Sequence, residues 1–179
     1  MLANLAVQQL LSGHQRLGFQ YLRSSIELAP EYVDHWNNLG AFYATNHAYE
    51  QARLAYTVAL KLQPNSRTAH AAIARAYTKL GSQRLAKRHE RLARRYQRLN
   101  PFYHYSIAQR ELHKNNPADA LVAINLALGL NSRLGGFHFL KAIALQQLGN
   151  TKAAARSMDK ARRLGKFQEL KREFLPTFG

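Results

Sequence analysis

A step of 34 residues brings the chain into register with itself, and this period constrains the fold more than any other feature of the sequence. Ala52, Ala86, Ala120 and Ala154 form one column, and Ala59, Ala93, Ala127 and Ala161 form a second. Gly40, Ala74, Ala108 and Ala142 make a third, and Leu39, Ile73 and Ile107 a fourth. His70, His104 and His138 make a fifth, with Trp36 standing one period upstream. Leu80-Gly81 returns as Leu148-Gly149 two periods later, and no insertion disturbs the spacing. A chain built this way is a stack of like units, each contacting its neighbours.

Each unit reads as two helices. The first carries bulky and small residues at i, i+3, i+4 and i+7, as in Trp36, Leu39, Gly40 and Tyr43, which builds one apolar face. A break follows at Asn46-His47, Gly81, Asn115-Asn116-Pro117 or Gly149-Asn150. The second helix carries the alanine columns, with Tyr56, Ile124 or Met158 between them. Small residues let two helix backbones approach closely, and the large ones fill the adjoining gap. Pro30, Pro64 and Pro101 stop helices, because proline has no N–H for an interior hydrogen bond.

Residues 33–66 carry Trp36, Leu39, Gly40, Tyr43, Ala52, Tyr56, Ala59 and Pro64, and here the chain resembles the tetratricopeptide repeat (TPR) family. Residues 67–100, 101–134 and 135–168 fit the same pattern less completely. Residues 1–32 fit as a unit without its first two positions, with Leu5-Ala6 as the bulky and small pair. The resemblance implies an all-α, right-handed solenoid of about five helix-turn-helix units, a single array over 1–179. A short capping helix over 169–179 is expected to close it. Two residues depart from the pattern: Lys141 and Glu90 both occupy large apolar positions. The incomplete first unit implies a piece of a larger protein. The openings NPFYHY and GGFHFL resemble bacterial TPR segments that follow transglutaminase-like domains.

In the TPR family the first helices line a concave groove that holds an extended peptide or protein partner. Carried onto this chain, the groove positions include Asn37, Asn38, Ala41, Thr45, Arg75, Lys79, Phe102, Tyr105, Gln109 and Phe139. Asparagine bonds a peptide backbone through both its donor and its acceptor. Arg75 and Lys79, one turn apart, suit a carboxylate, which implies an acidic partner. Phe102, Tyr105 and Phe139 serve either as apolar anchors or as packing between adjacent units. The carboxylate-clamp subset of the family is not reproduced, because its lysine and asparagine positions do not match.

The net charge is +16, from 26 basic and 10 acidic residues. It is uneven. On a helical wheel Arg84, Lys87, Arg88, Arg91, Arg94, Arg95 and Arg98 fall on one arc. Opposite them lie Leu85, Ala86, His89, Leu92, Ala93, Tyr96 and Leu99. This is an amphipathic second helix whose apolar arc is rotated, with Glu90 at its border. By the resemblance its cations lie on the convex side. Two readings stand: a solvated face, or a surface for nucleic acid or anionic membrane. The next second helix carries Val122 and Leu126 where cations would be, an apolar strip suited to a homodimer contact unless neighbouring helices cover it.

Chemistry is scarce. Cysteine is absent, which removes a thiolate nucleophile or metal site. The histidine column is spaced one unit apart, too far for one ion, so a structural role in place of Trp36 is expected. His89-Glu90 begins a metalloprotease-like string, but Ala93 stands where its second histidine is needed. No nucleophile elbow, phosphate loop or dinucleotide fingerprint is present. The chain is read as non-catalytic, without cofactor. Its longest apolar run, LVAINLALGL, is far below the ~20 residues of a bilayer span, and its start lacks a signal-peptide pattern.

Overall fold

A computed structural model describes residues 2–165. Among the described residues there are ten α-helices and no strand. They are α1 (Leu2–Leu11), α2 (Gln15–Leu28), α3 (Val33–Thr45), α4 (Tyr49–Leu62) and α5 (Arg67–Lys79). Then follow α6 (Gln83–Arg98), α7 (Pro101–His113), α8 (Pro117–Leu130), α9 (Gly135–Gln147) and α10 (Thr151–Leu164). From α3 onward the first helices begin at 33, 67, 101 and 135, and the second at 49, 83, 117 and 151, so both keep the step of 34. The expected capping helix lies outside the described residues. The chain divides into two compact units, Met1–Gln97 and Arg98–Gly179.

In both units the turn inside each hairpin has one construction. Gly13, His47, Gly81, Asn115 and Gly149, again 34 apart, adopt φ between +57° and +82°. The next N–H then reaches back five residues, as in Ala48 to the Tyr43 carbonyl at 2.9 Å and Ser82 to the Tyr77 carbonyl at 2.8 Å. This is the Schellman ending, in which a left-handed residue lets two orphan carbonyls find donors. Glycine enters that conformation without strain, and His47 and Asn115 belong to the types that tolerate it.

The ring column explains how hairpins join. Trp36 Nε1–H donates to the Pro30 carbonyl at 2.7 Å. His70, His104 and His138 place Nε2 at 3.0, 2.9 and 3.0 Å from the carbonyls of Pro64, Arg98 and Ser132. Each ring reaches back six residues and satisfies a carbonyl left over where the preceding helix ends. The histidines therefore replace Trp36 as link clamps. Side-chain caps at Ser66, Asn100, Asn116 and Asn150 start the next helices.

In the first unit the core is made by the small columns. Ala6, Gly18, Gly40, Ala52, Ala59, Ala74, Ala86 and Ala93 are all buried. Gly40 is required by a close approach: a Cβ there would lie 2.6 Å from the Tyr56 ring. The third hairpin departs as expected at Glu90, which is exposed and pairs with Arg94 at 3.7 Å. His89 turns inward instead, 5.7 Å from the Tyr77 ring centre and 5.2 Å from that of His70. Tyr96 stacks on His70 at 5.4 Å. Leu99, read as part of the apolar arc, lies past the end of α6 and is 55% exposed.

In the second unit Ala108, Leu112, Ala120, Ile124, Ala127, Leu140, Ile143 and Ala161 join one core with Phe137 and Phe139. Gly135 is buried where an added Cβ would strike the Gly165 carbonyl, so α9 begins against the end of α10. Lys141 is half-buried.

Candidate functional site

In the first unit two cavities adjoin across α3. One, of ≈ 350 Å³, is bounded by Ala41, Ala44 and Thr45 of α3, Tyr49 and Tyr56 of α4, and Ala72, Arg75, Ala76 and Lys79 of α5. The other, of ≈ 330 Å³, is bounded by Val7, Leu10 and Leu11 of α1, Gln15, and Asn38, Ala41, Phe42 and Thr45 of α3. Ala41 and Thr45 border both. Small residues at Ala41, Ala44, Ala72 and Ala76 leave this space open. Six of the sequence-derived groove residues thus fall in this unit: Asn38, Ala41, Thr45, Arg75 and Lys79 on the cavity walls, and Asn37 on α3.

Arg75 and Lys79 are exposed, and neither has an ion-pair partner among the described residues. Their charge is therefore available to an anion. Tyr56, below Arg75, has its phenol pushed above the ordinary range by burial, with Arg75 opposing the shift, so it stays a neutral donor. The Asn37 side-chain oxygen is buried with no hydrogen-bond partner among the described residues. A buried acceptor in this state costs free energy until a donor reaches it. The apolar cavity walls Val7, Leu10, Leu11 and Phe42 were not singled out from the sequence. Their signal was the i, i+3, i+4 spacing of Val7, Leu10 and Leu11.

The remaining groove residues lie in the second unit. Phe102 is 57% exposed and meets the Phe137 ring edge-on at 5.6 Å, while Tyr105 stacks on Phe137 at 5.1 Å. Both aromatics thus pack against the following repeat, and Phe102 keeps a free face. Gln109 is half-buried. Phe139 requires a correction: it is 0% exposed and belongs to the core. The reason is that 137–140 of α9 are buried consecutively, and a helix buried all round gives no wheel position a privileged outer face.

All seven cations of α6 — Arg84, Lys87, Arg88, Arg91, Arg94, Arg95 and Arg98 — are exposed. Only Arg94 has an ion-pair partner among the described residues. On α8, Val122 and Leu126 are 62% and 53% exposed, so neighbouring helices do not cover the strip. No helix among the described residues is long and apolar enough to cross a membrane.

Tandem antiparallel helix pairs at a fixed step, with buried small columns and a left-handed turn residue in each pair, define an α-helical repeat solenoid. Its particular form is that of the tetratricopeptide repeat. A crystal structure of MamA matches with a TM-score of 0.51 and 13% identity over 97% of this chain and 93% of that one. MamA 41-end from Desulfovibrio magneticus RS-1 matches with a TM-score of 0.51 and 17% identity over 93% and 94%. YrrB, described as a TPR protein with an unusual peptide-binding site, matches with a TM-score of 0.50 and 14% identity over 94% and 87%. At these identities the likeness is one of fold. No protein-family model matches the chain, and no curated protein matches it in sequence.

Proposed function

We propose that the chain is a non-catalytic protein-interaction scaffold that binds an extended, acidic peptide across α1, α3 and α5. The observation that carries this reading is the pair of adjoining cavities, apolar between α1 and α3 and cationic between α3 and α5. One bound segment crossing α3 would place an apolar side chain among Val7, Leu10 and Phe42 and a carboxylate at Arg75 and Lys79. Packed helices are spaced by about 8–10 Å, and an extended chain advances about 3.3 Å per residue. The two side chains are then about three residues apart. Asn38, on the wall of the apolar cavity, supplies a side-chain amide for the backbone of the guest. The peptide-binding site of YrrB, on the same fold, is consistent with such a use.

The test is a titration by fluorescence anisotropy with a labelled peptide carrying Leu and Glu three residues apart. Arg75→Glu with Lys79→Glu removes two charge-assisted bonds, each worth about 1.5–3 kcal/mol, and should weaken binding at least tenfold. Equal affinity for the wild type and the double variant sinks the reading.

A further inference from the structure

We propose that the outer face of α6 is a second, independent site, which binds the phosphodiester backbone of nucleic acid without reading its sequence. Arg84, Arg88, Arg91, Arg95 and Arg98 are spaced 4, 3, 4 and 3 residues apart, so they form one straight stripe. At 1.5 Å per residue the stripe is about 21 Å long with a cation every ~5 Å. Lys87 and Arg94 flank it. Arg84, Arg88 and Arg91 also enclose a hollow of ≈ 270 Å³ floored by Leu85. Guanidinium groups suit phosphate because they present a fork of donors.

A line of charge favours a linear polyanion over a membrane plane. The other second helices of this unit are nearly neutral. Helix α2 carries two basic residues and one acid (+1), and so does α4 (+1), against seven and one on α6 (+6). Their acids are paired, Glu27 with Arg23 at 3.4 Å and Glu50 with Arg53 at 2.8 Å. Helix α6 also cannot roll into a bilayer, because Ala86 and Ala93 on its opposite arc are buried in the repeat. The stripe carries no amide, hydroxyl or aromatic side chain, so apart from the guanine edges that an arginine can bond it has nothing with which to read bases, and two unrelated duplexes separate phosphate contact from guanine reading.

The experiment is anisotropy titration of the full chain with two unrelated 12-base-pair duplexes from 50 to 300 mM salt, beside sedimentation with phosphatidylserine vesicles. Both duplexes should bind equally, with log K falling against log salt with a slope of about −4.5 for about five phosphates. Arg88→Gln, Arg91→Gln and Arg95→Gln together should weaken binding at least tenfold and reduce the slope by about 0.9 for each phosphate no longer neutralised. Lys152→Gln, Arg156→Gln and Lys160→Gln on α10 remove the same charge elsewhere and should leave binding within about twofold, with circular dichroism confirming that both variants are folded. Equal weakening by the two triple variants, a flat salt response, or capture by vesicles under conditions where neither duplex binds would overturn the proposal.

Discussion

Gly40→Ala tests the packing logic of the repeat at its tightest point. The added methyl would sit 2.6, 2.7 and 2.8 Å from Cε1, Cδ1 and Cζ of Tyr56. Those atoms belong to a rigid ring that is itself buried, so helix and ring must separate. Overpacking of this kind costs about 1–3 kcal/mol, while replacing glycine by alanine inside a helix returns about 1 kcal/mol. The net is a loss of about 0–2 kcal/mol, and the rigid, buried ring puts it toward the upper end. The second unit shows the compensation: Ala108 and Ile124, two periods along from Gly40 and Tyr56, are both fully buried in one core. Tyr56→Ile should therefore rescue Gly40→Ala, with a favourable coupling of about 1 kcal/mol or more in a double-mutant cycle. Urea denaturation followed by circular dichroism at 222 nm measures all four proteins. If Gly40→Ala alone were as stable as the wild type or more so, the close approach would not exist and the reasoning would fail.

Asn115 holds φ +57° with no side-chain role in the turn, so Asn115→Gly should raise stability by about 0.5–1 kcal/mol in the same assay. His138→Phe removes the ring N–H that serves the Ser132 carbonyl and should cost about 0.5–1.5 kcal/mol, read as a lower denaturation midpoint. His89 and His138 both have pKa values below the ordinary 6.5, chiefly because burial disfavours the charged ring. Their unfolded forms take up protons first, so their contribution to stability is present above pH 6.5 and is lost as pH falls below it toward the lower folded values. Melting curves from pH 7.5 to 5 should show that loss, and His89→Gln combined with His138→Gln should flatten it; an unchanged slope contradicts the assignment.

The period was legible because several independent constraints repeat with it. Alanine columns, link-clamping rings and left-handed turn residues each obey the step of 34, and each has a local physical cause that the residue type reveals. Glu90 also spoke plainly, since a carboxylate in a large apolar position forces the helix to rotate, and His89 turns in beside it. The site was less legible. Arg75 and Lys79 were visible as groove cations, but a cavity is defined by absent side chains, and the alanines that leave it open look the same as alanines that pack. Phe139 failed for a different reason: α9 is apolar on every side, so periodicity does not separate its groove face from its core face. Phe137, on which Phe102 and Tyr105 rest, was hidden by the same uniformity.

The central claim is that one guest crosses α3 with an apolar side chain on one side and a carboxylate on the other. Its most direct measurement is isothermal titration with peptides in which Leu and Glu are separated by one, three or six residues at constant composition. Affinity should peak at about three and the peak should vanish in the Arg75→Glu, Lys79→Glu protein. Affinities that do not depend on the separation, or a peak that survives the charge reversal, would contradict it.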